Sequence, residues 1–230
     1  MKPSLSIVTT CHPNTCVMKK FYNEVCSFSS ERRLSVELIV VNNLCSNDEA
    51  SPVFFPNNYI TLKRLVSGQE NGQAGSIILG FMEASSNQIL SIDPDMVSSF
   101  YAIDNMLALL EQGYEVVVAR RALQDRVGWR AIGTYFFNLL VSILLGFRVN
   151  DLNSPMFLVK RNVVSALSGL SLAPESYKFR LFMDNRSRLI EVLVRDHSSR
   201  TGEPSTYSFG MLASLFVKRL LLALKLRVWK

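Results

Sequence analysis

The sequence predicts an α/β domain built on a mainly parallel sheet with helices on both faces. Three observations lead to this prediction: strand and helix patterns alternate along the first half of the chain, the strand candidates are nearly continuous apolar runs, and polar turns close them. With 230 residues, of which 48% are hydrophobic and 19% charged, the chain has the composition of one globular unit with a sizeable core. Disordered and collagen-like proteins are therefore excluded.

The predicted elements follow one another in a regular order. The strand candidates are short β-rich or apolar runs, at residues 4–10, 36–41, 59–65, 88–92 and 115–119. Apolar residues at helical spacing lie between them, at residues 17–28, 75–84 and 100–112. In a parallel sheet of this kind ligands bind at the carboxyl ends of the strands, so the functional residues are expected there.

The charge of the chain is concentrated at its end. Lys and Arg number 25 against 19 Asp and Glu, a formal charge of +6, and the last thirteen residues hold five cations and no acid. These cations recur among leucines, with Trp229 near the end, which predicts a basic amphipathic helix over residues 207–230 lying on an anionic membrane surface beside a domain at 1–206. A terminal helix packed on its own domain is the alternative. Nucleic acid is not expected as a partner, because the cations are not interleaved with stacking aromatic residues.

Two features of the sequence concern its location. The first residues hold an apolar run too short for a signal peptide, and the four cysteines show neither a CxxC pair nor zinc-site spacing, so reduced thiols and a cytoplasmic location are expected. Residues 131–147 are uncharged, but they fall short of the roughly 20 residues needed to cross a bilayer. We therefore expect a protein that is peripheral on the cytoplasmic face of a membrane.

Asp93-Pro94-Asp95 directly follows the fourth strand candidate. Alternate residues of an extended segment point the same way, so the two carboxylates are expected to converge on one Mg²⁺ or Mn²⁺ held with a diphosphate. An Asp-Pro turn that caps the next helix is the alternative. Upstream, a glycine-rich stretch that includes Gly72 enters a helix, where a phosphate or sugar could approach the backbone closely.

The order of these pieces resembles that of the inverting family 2 glycosyltransferases, which have the GT-A fold. The segments that carry the resemblance are SLSIVTTCHPN, ELIVVNNLCSND, ENGQAGSIILGF, ILSIDPDM, EVVVARRA, WRAIGTYFFNLLVSILLGFRVNDLNS and RDHSSRTGEPS. Within the family the chain is most similar to the dolichyl-phosphate mannose synthase group of polyprenyl-phosphate glycosyltransferases. These enzymes move a sugar from a nucleotide donor to a polyprenyl phosphate.

The resemblance implies roles for particular residues. It implies that Asp93 and Asp95 bind the metal ion. The residues implied to frame the nucleotide and the donor diphosphate, beside Asp93, are Thr10, Asn14, Asn42, Asn43, Gly72 and Arg120. The residues implied to act in catalysis are Asp95, Arg130 and Arg200. Arginine suits phosphate because its planar fork of donors matches phosphate oxygens and keeps its charge when partly buried.

The chain departs from the family pattern at two places. The second strand ends in Asn42-Asn43 where the family usually has an acid pair, and Val97 stands where the family usually has Gln. Without that glutamine, metal binding should depend more heavily on the donor. Uracil presents one donor beside an acceptor, which an amide can match, so a UDP-sugar is expected rather than a GDP-sugar.

The expected function is transfer of a sugar from a nucleotide donor to a polyprenyl phosphate, with room for a membrane-anchored partner protein. A polyprenyl phosphate is already ionised at neutral pH, so this reaction needs no general base. One alternative is transfer to a saccharide in cell-surface glycan assembly, for which Asp151 is a candidate base. The other is a degenerate homologue that binds nucleotide sugar without turnover, as Asn42, Asn43 and Val97 suggest.

Overall fold

The structure, a computed structural model, describes residues 2–42, 57–68, 72–121, 149–168 and 174–195, together with residues 139, 140, 142, 143, 146 and 221. Its strands are β1 (Leu5–Thr10), β2 (Val36–Asn42), β3 (Ile60–Val66), β4 (Gln88–Ser91), β5 (Val116–Arg121), β6 (Phe157–Lys160) and β7 (Leu189–Val194). Its α-helices are α1 (Thr15–Arg32), α2 (Gly72–Glu83), α3 (Ile103–Glu111), α4 (Arg161–Ser168) and α5 (Pro174–Asp184), with 3-10 helices at Val97–Ala102 and Arg186–Arg188.

Within the described residues the strands form one sheet in the order β3-β2-β1-β4-β6-β5-β7. The pairs β1–β2, β2–β3, β1–β4 and β5–β7 are parallel, and β6 runs antiparallel to both of its neighbours, β4 and β5. The sheet is therefore mainly parallel, as the sequence predicts.

Helices cover both faces of the sheet. Side chains of α1 and α3 share one buried cluster with Ile7 and Val117, and side chains of α2, α4 and α5 share the other with Val8 and Val118. Alternate strand residues point to opposite faces, which is why neighbouring residues contribute to different clusters. The contact with α2 is close, since a Cβ added at Gly80 would overlap the Val8 side chain. The α/β fold class is thus confirmed, with a core on each side.

The direction of the strands gives the sheet two polar edges. The carboxyl edge collects the ends of β1, β2, β4 and β5, namely Thr10, Asn42, the segment after Ser91 and Arg120–Arg121. The amino edge collects the starts of the same strands with the end of β6, and includes Ser6, Glu37, Glu115 and Lys160. The expected ligand side is the carboxyl edge.

Several boundaries differ from those predicted. The α2 helix begins at Gly72 rather than Gly75, β5 continues through Arg121, and residues 100–112 combine the end of a 3-10 helix with α3. Cys11, Cys16 and Cys26 are free thiols, as expected. No helix in the described part of the chain is both long and apolar enough to cross a membrane. The predicted tail helix lies outside the described residues apart from Leu221, so the division into 1–206 and 207–230 stays a prediction.

Candidate active site

Asp93-Pro94-Asp95 forms a turn at the carboxyl edge. The Met96 backbone N–H donates to the Asp93 carbonyl oxygen at 3.0 Å, which puts Pro94 and Asp95 at the centre of a four-residue turn. Proline suits the second position of such a turn because its φ is already fixed near the required value. The expectation of an extended segment is therefore wrong. Both carboxylates lie half-buried at this edge, with Asp95 Oδ1 shielded from solvent.

The start of α2 lies against Asp93. Gln73 Nε2 donates to Asp93 Oδ1 at 3.0 Å. The residue before it, Gly72, has a left-handed φ of 56°, and its carbonyl oxygen accepts a hydrogen bond from Ser76 Oγ at 2.9 Å. Such a φ favours glycine, so Gly72 allows the helix to begin with Gln73 directed at the aspartate. The contact with Gln73 could not be read from the sequence, since it spans twenty residues and has no local pattern.

The proposed nucleotide-framing residues of β1 and β2 also lie at the carboxyl edge. Thr10 ends β1 and is buried, and Asn42 ends β2 half-buried, with its carbonyl oxygen accepting from Ser67 N at 2.8 Å. Asn14 caps α1, because its Oδ1 accepts from the Cys16 backbone N–H at 2.9 Å. The cap uses the side-chain oxygen of Asn14, and the Asn14 side chain is exposed to solvent.

Two adjacent arginines end β5, and their surroundings differ. Arg121 donates to Asp151 from Nε at 2.9 Å, from Nη2 at 3.2 Å and from its backbone N–H at 3.2 Å. Asp151 is 1% exposed, so this is a buried ion pair. A carboxylate that is buried and tied to a guanidinium is poorly suited to act as a base. The interpretation of Asp151 as a base for a hydroxyl acceptor is therefore not supported.

Arg120 points the other way. It follows Val118 by two residues, so its side chain projects from the same face of the sheet as Val118, which is the face that α2 covers. Gln73 of α2 binds Asp93 on this face. Arg120 is half-buried, and its side chain makes no hydrogen bond or ion pair among the described residues. A guanidinium in this setting is suited to an anionic ligand.

The fit of this edge to a divalent cation rests on Asp93 and Asp95. In the described part of the chain, no three His, Cys, Asp or Glu side chains are grouped closely enough to hold a metal ion. Two carboxylates provide hard oxygen ligands of the kind that Mg²⁺ and Mn²⁺ take, while phosphate oxygens and water can complete such a shell. The residues fit a metal that is bound together with a diphosphate.

Three of the predicted site residues, Asn43, Arg130 and Arg200, lie outside the described residues. The apolar segment at 131–147 is described at five positions, where Leu139, Leu140 and Ile143 are helical and 42%, 41% and 61% exposed. The roles of these three site residues stay predictions.

A groove of about 570 Å³ lies away from this edge. It is at the amino edge and is lined by Asn87, Gln88, Glu115, Lys160, Arg161 and Asn162. Protein groups already engage much of its polar lining, since Arg161 Nε donates to the Ser86 carbonyl oxygen at 2.8 Å and Arg188 pairs with Glu115 at 2.6 Å. We therefore place the candidate site at the carboxyl ends of the strands, where ligands bind in sheets of this kind, rather than in the groove.

The chain is similar in sequence to known proteins. No protein-family model matches the chain. It is 25% identical over 151 residues, 66% of its length and 44% of the relative's, to an undecaprenyl-phosphate 4-deoxy-4-formamido-L-arabinose transferase of Pseudomonas syringae pv. syringae. It is 26% identical over 185 residues to the protein of the same name in Photorhabdus laumondii, covering 78% of this chain and 55% of that one. The chain thus spans about half the length of the curated relatives it matches.

Solved structures match over almost the whole chain. Glucosyl-3-phosphoglycerate synthase from Mycobacterium tuberculosis, in complex with Mn²⁺, UDP and glucosyl-3-phosphoglycerate, aligns with a TM-score of 0.64 at 13% identity, covering 98% of this chain and 80% of that one. Mannosyl-3-phosphoglycerate synthase from Rubrobacter xylanophilus aligns with a TM-score of 0.64 at 13% identity, covering 96% and 73%. The structures confirm the GT-A fold class, and the sequence relatives confirm that the chain resembles the polyprenyl-phosphate glycosyltransferases.

Proposed function

We propose that this chain is an inverting glycosyltransferase that moves a sugar from a nucleotide donor to a polyprenyl phosphate. The observation that carries the proposal is the carboxyl edge, where the turn of Asp93 and Asp95 follows β4, Gln73 of α2 binds Asp93, and Arg120 lies at the end of β5. The names of the sequence relatives, undecaprenyl-phosphate sugar transferases, support the choice of acceptor.

The donor would lie across the strand ends. Asp93 and Asp95 would hold Mg²⁺ or Mn²⁺, which when bound neutralises charge that develops on the departing diphosphate. Arg120 would bind that diphosphate, and its half-buried position strengthens the attraction relative to a fully solvated cation. The nucleotide would be bordered by Thr10, Asn14, Asn42 and Asn43.

A uridine nucleotide is the donor we favour. Asn42 presents an amide at the edge of the proposed pocket, and an amide can match the adjacent donor and acceptor of uracil. The Mycobacterium tuberculosis structure that shares this fold holds UDP with Mn²⁺, which supports the same choice.

The acceptor would be ionised before it binds. A phosphate oxygen can attack the anomeric carbon without losing a proton, so the site needs cations rather than a base. The burial of Asp151 in its pair with Arg121 is consistent with a base-free mechanism. Arg130 and Arg200 are our candidates for binding the acceptor phosphate.

We also propose that the protein works as a peripheral protein on the cytoplasmic face of a membrane, held by residues 207–230. Deleting Lys218–Lys230 should release the chain from vesicles that contain anionic lipid, because the deletion removes five cations and the leucines between them. Co-sedimentation of the full and shortened chains with anionic vesicles, and with zwitterionic vesicles as control, measures the effect. Equal retention of both chains on anionic vesicles would contradict the proposal.

The function itself is tested by a transfer assay on the full chain. Radiolabelled UDP-sugars and GDP-sugars are incubated with Mn²⁺ and a polyprenyl phosphate, with the polyprenol lacking the phosphate as the matched control. We expect a labelled product in the organic phase with polyprenyl phosphate but not with polyprenol. We also expect this product from a UDP-sugar rather than from a GDP-sugar. Product formed only on an added saccharide would establish the alternative acceptor class, and donor binding without any product would mark a non-catalytic homologue.

A further inference from the structure

Glu191 lies in the middle of β7 and binds a segment from a different part of the chain. Its Oε1 accepts the backbone N–H groups of Asn150 at 2.8 Å and of Asp151 at 3.0 Å, and its Oε2 accepts from Asn150 Nδ2 at 2.5 Å. Three donors on one half-buried carboxylate fix the start of the turn at residues 150–154 against the sheet.

The same turn is tied to the end of β5. Asp151 holds Arg121 through the side-chain and backbone contacts given above. Ser154 Oγ donates to the Ala119 carbonyl oxygen at 2.5 Å, and the Ser154 backbone N–H donates to the Asp151 carbonyl oxygen at 3.0 Å. The residues on both sides of Arg120 are thus bonded to a turn whose own position depends on Glu191.

Glu191 and Arg120 share one face of the sheet. Glu191 lies opposite Val118 in the parallel pair β5–β7, and Arg120 follows Val118 by two residues. A carboxylate and a guanidinium placed diagonally in this way can reach one another. The described contacts of Glu191 go to the turn instead, and Arg120 makes no ion pair among the described residues.

We propose that Glu191 is a positioning residue for Arg120. By accepting the turn donors, it fixes the strand end that carries Arg120, and its carboxylate is kept from capturing the guanidinium. Arg120 therefore remains directed at the donor diphosphate. This inference rests on the proposed function, in which Arg120 binds that diphosphate.

The variants follow from the donors that Glu191 accepts. Glu191→Ala leaves three donors without their acceptor and loosens the turn. Glu191→Gln keeps a carbonyl oxygen for the two backbone N–H groups but places an NH2 group opposite Asn150 Nδ2, so it should lose about as much as Asn150→Ala and much less than Glu191→Ala. Asn150→Ala removes the Nδ2 contact, keeps the two backbone donors to Glu191, and tests the same link from the other partner, should Glu191→Ala fold poorly.

The test is a double-mutant cycle on the affinity for UDP with Mn²⁺, measured by titration calorimetry. We expect Glu191→Ala to weaken binding about tenfold, and Asn150→Ala and Glu191→Gln about threefold each. In an Arg120→Ala background neither alanine variant should weaken binding further. Glu115→Ala, which breaks the pair with Arg188 at the amino edge beside β5 and β7, should leave binding unchanged.

The outcomes separate the two proposals. If Arg120→Ala weakens binding while Glu191→Ala and Asn150→Ala do not, the positioning role is overturned and the proposed function stands. Equal losses in the wild-type and Arg120→Ala backgrounds would also overturn it, because they would mean a general loss of structure. If Arg120→Ala itself binds UDP and Mn²⁺ as tightly as the wild type, the assignment of Arg120 to the diphosphate fails, and the positioning role fails with it.

Discussion

Charged side chains near the core have different surroundings at the two polar edges of the sheet. At the amino edge, the Glu37 carboxylate is 3% exposed and is bound by Ser6 Oγ at 2.5 Å, Ser85 N at 2.7 Å, Ser85 Oγ at 2.8 Å and Lys63 Nζ at 2.7 Å. At the carboxyl edge, Arg120 is half-buried and makes no ion pair within the described residues. Both edges therefore hold a charge near the core, but Glu37 has protein partners around it, whereas the Arg120 side chain has none among the described residues.

This difference separates charges that stabilise the fold from charges suited to a ligand. A buried carboxylate with several donors links β1, β2, β3 and the segment after α2, and removing the carboxylate leaves those donors without their shared acceptor. The neighbouring arginines of β5 repeat the contrast within one strand, since Arg121 pairs with a buried aspartate and Arg120 does not. Substitutions at the two edges should therefore have different consequences.

The largest effect is expected at the carboxyl edge. Asp95→Asn should lower transfer at least about a hundredfold and abolish the Mn²⁺ dependence of UDP binding, because an amide replaces one of the two carboxylates proposed to bind the metal. The stability of the fold should change little. Asp184→Asn is the matched control, since Asp184 pairs with Arg180 on the surface of α5. Unchanged Mn²⁺-dependent binding in Asp95→Asn would remove the metal assignment.

A different loss is expected at the amino edge. Glu37→Ala should lower the free energy of unfolding by about 2–4 kcal/mol, because Lys63 and the serine donors lose their acceptor inside the fold. Glu115→Ala, where the partner Arg188 is 61% exposed, should cost less than about 1 kcal/mol. Urea unfolding measures both variants. Equal effects would contradict the distinction between a buried carboxylate with several donors and a carboxylate paired with a solvent-exposed arginine.

The pH dependence of this stabilisation has a definite sign. Burial alone would raise the pKa of Glu37, but hydrogen bonds from Lys63, Ser6 and Ser85 lower that pKa below the ordinary glutamate value. A lowered pKa in the folded state stabilises the protein above the unfolded pKa, and the stabilisation is lost as the pH falls through the folded value. The difference in unfolding free energy between wild type and Glu37→Gln should thus shrink below about pH 4.

The local patterns predicted β1 to β5 and missed β6 and β7, although β7 is apolar at every position except Glu191. The apolar runs of β1, β2, β4 and β5 identified four strands, because buried parallel strands are nearly continuous in hydrophobic residues. The four residues of β6 gave no comparable signal, and their antiparallel pairing depends on neighbours distant in sequence. The segment of the two aspartates is a turn rather than extended, because Pro94 has its φ fixed near the value that the second turn position requires.

The candidate site also contains residues that the local sequence reveals and contacts that it does not. Asp93 and Asp95 could be found because they directly follow a strand, whereas the partner of Asp151 is thirty residues away and could not be read from spacing. Arg120 and Arg121 are identical in type and adjacent in sequence, and only the packing distinguishes the ligand candidate from the structural residue. Long-range contacts of this kind decide function and leave no local pattern.

The most direct measurement of the central claim is a crystal structure of the protein soaked with UDP and Mn²⁺, with the metal located by its anomalous signal. We predict that the metal lies beside Asp93 and Asp95 and that the diphosphate lies within hydrogen-bonding distance of Arg120. A metal and diphosphate bound at the amino-edge groove, beside Glu115 and Lys160, would contradict it.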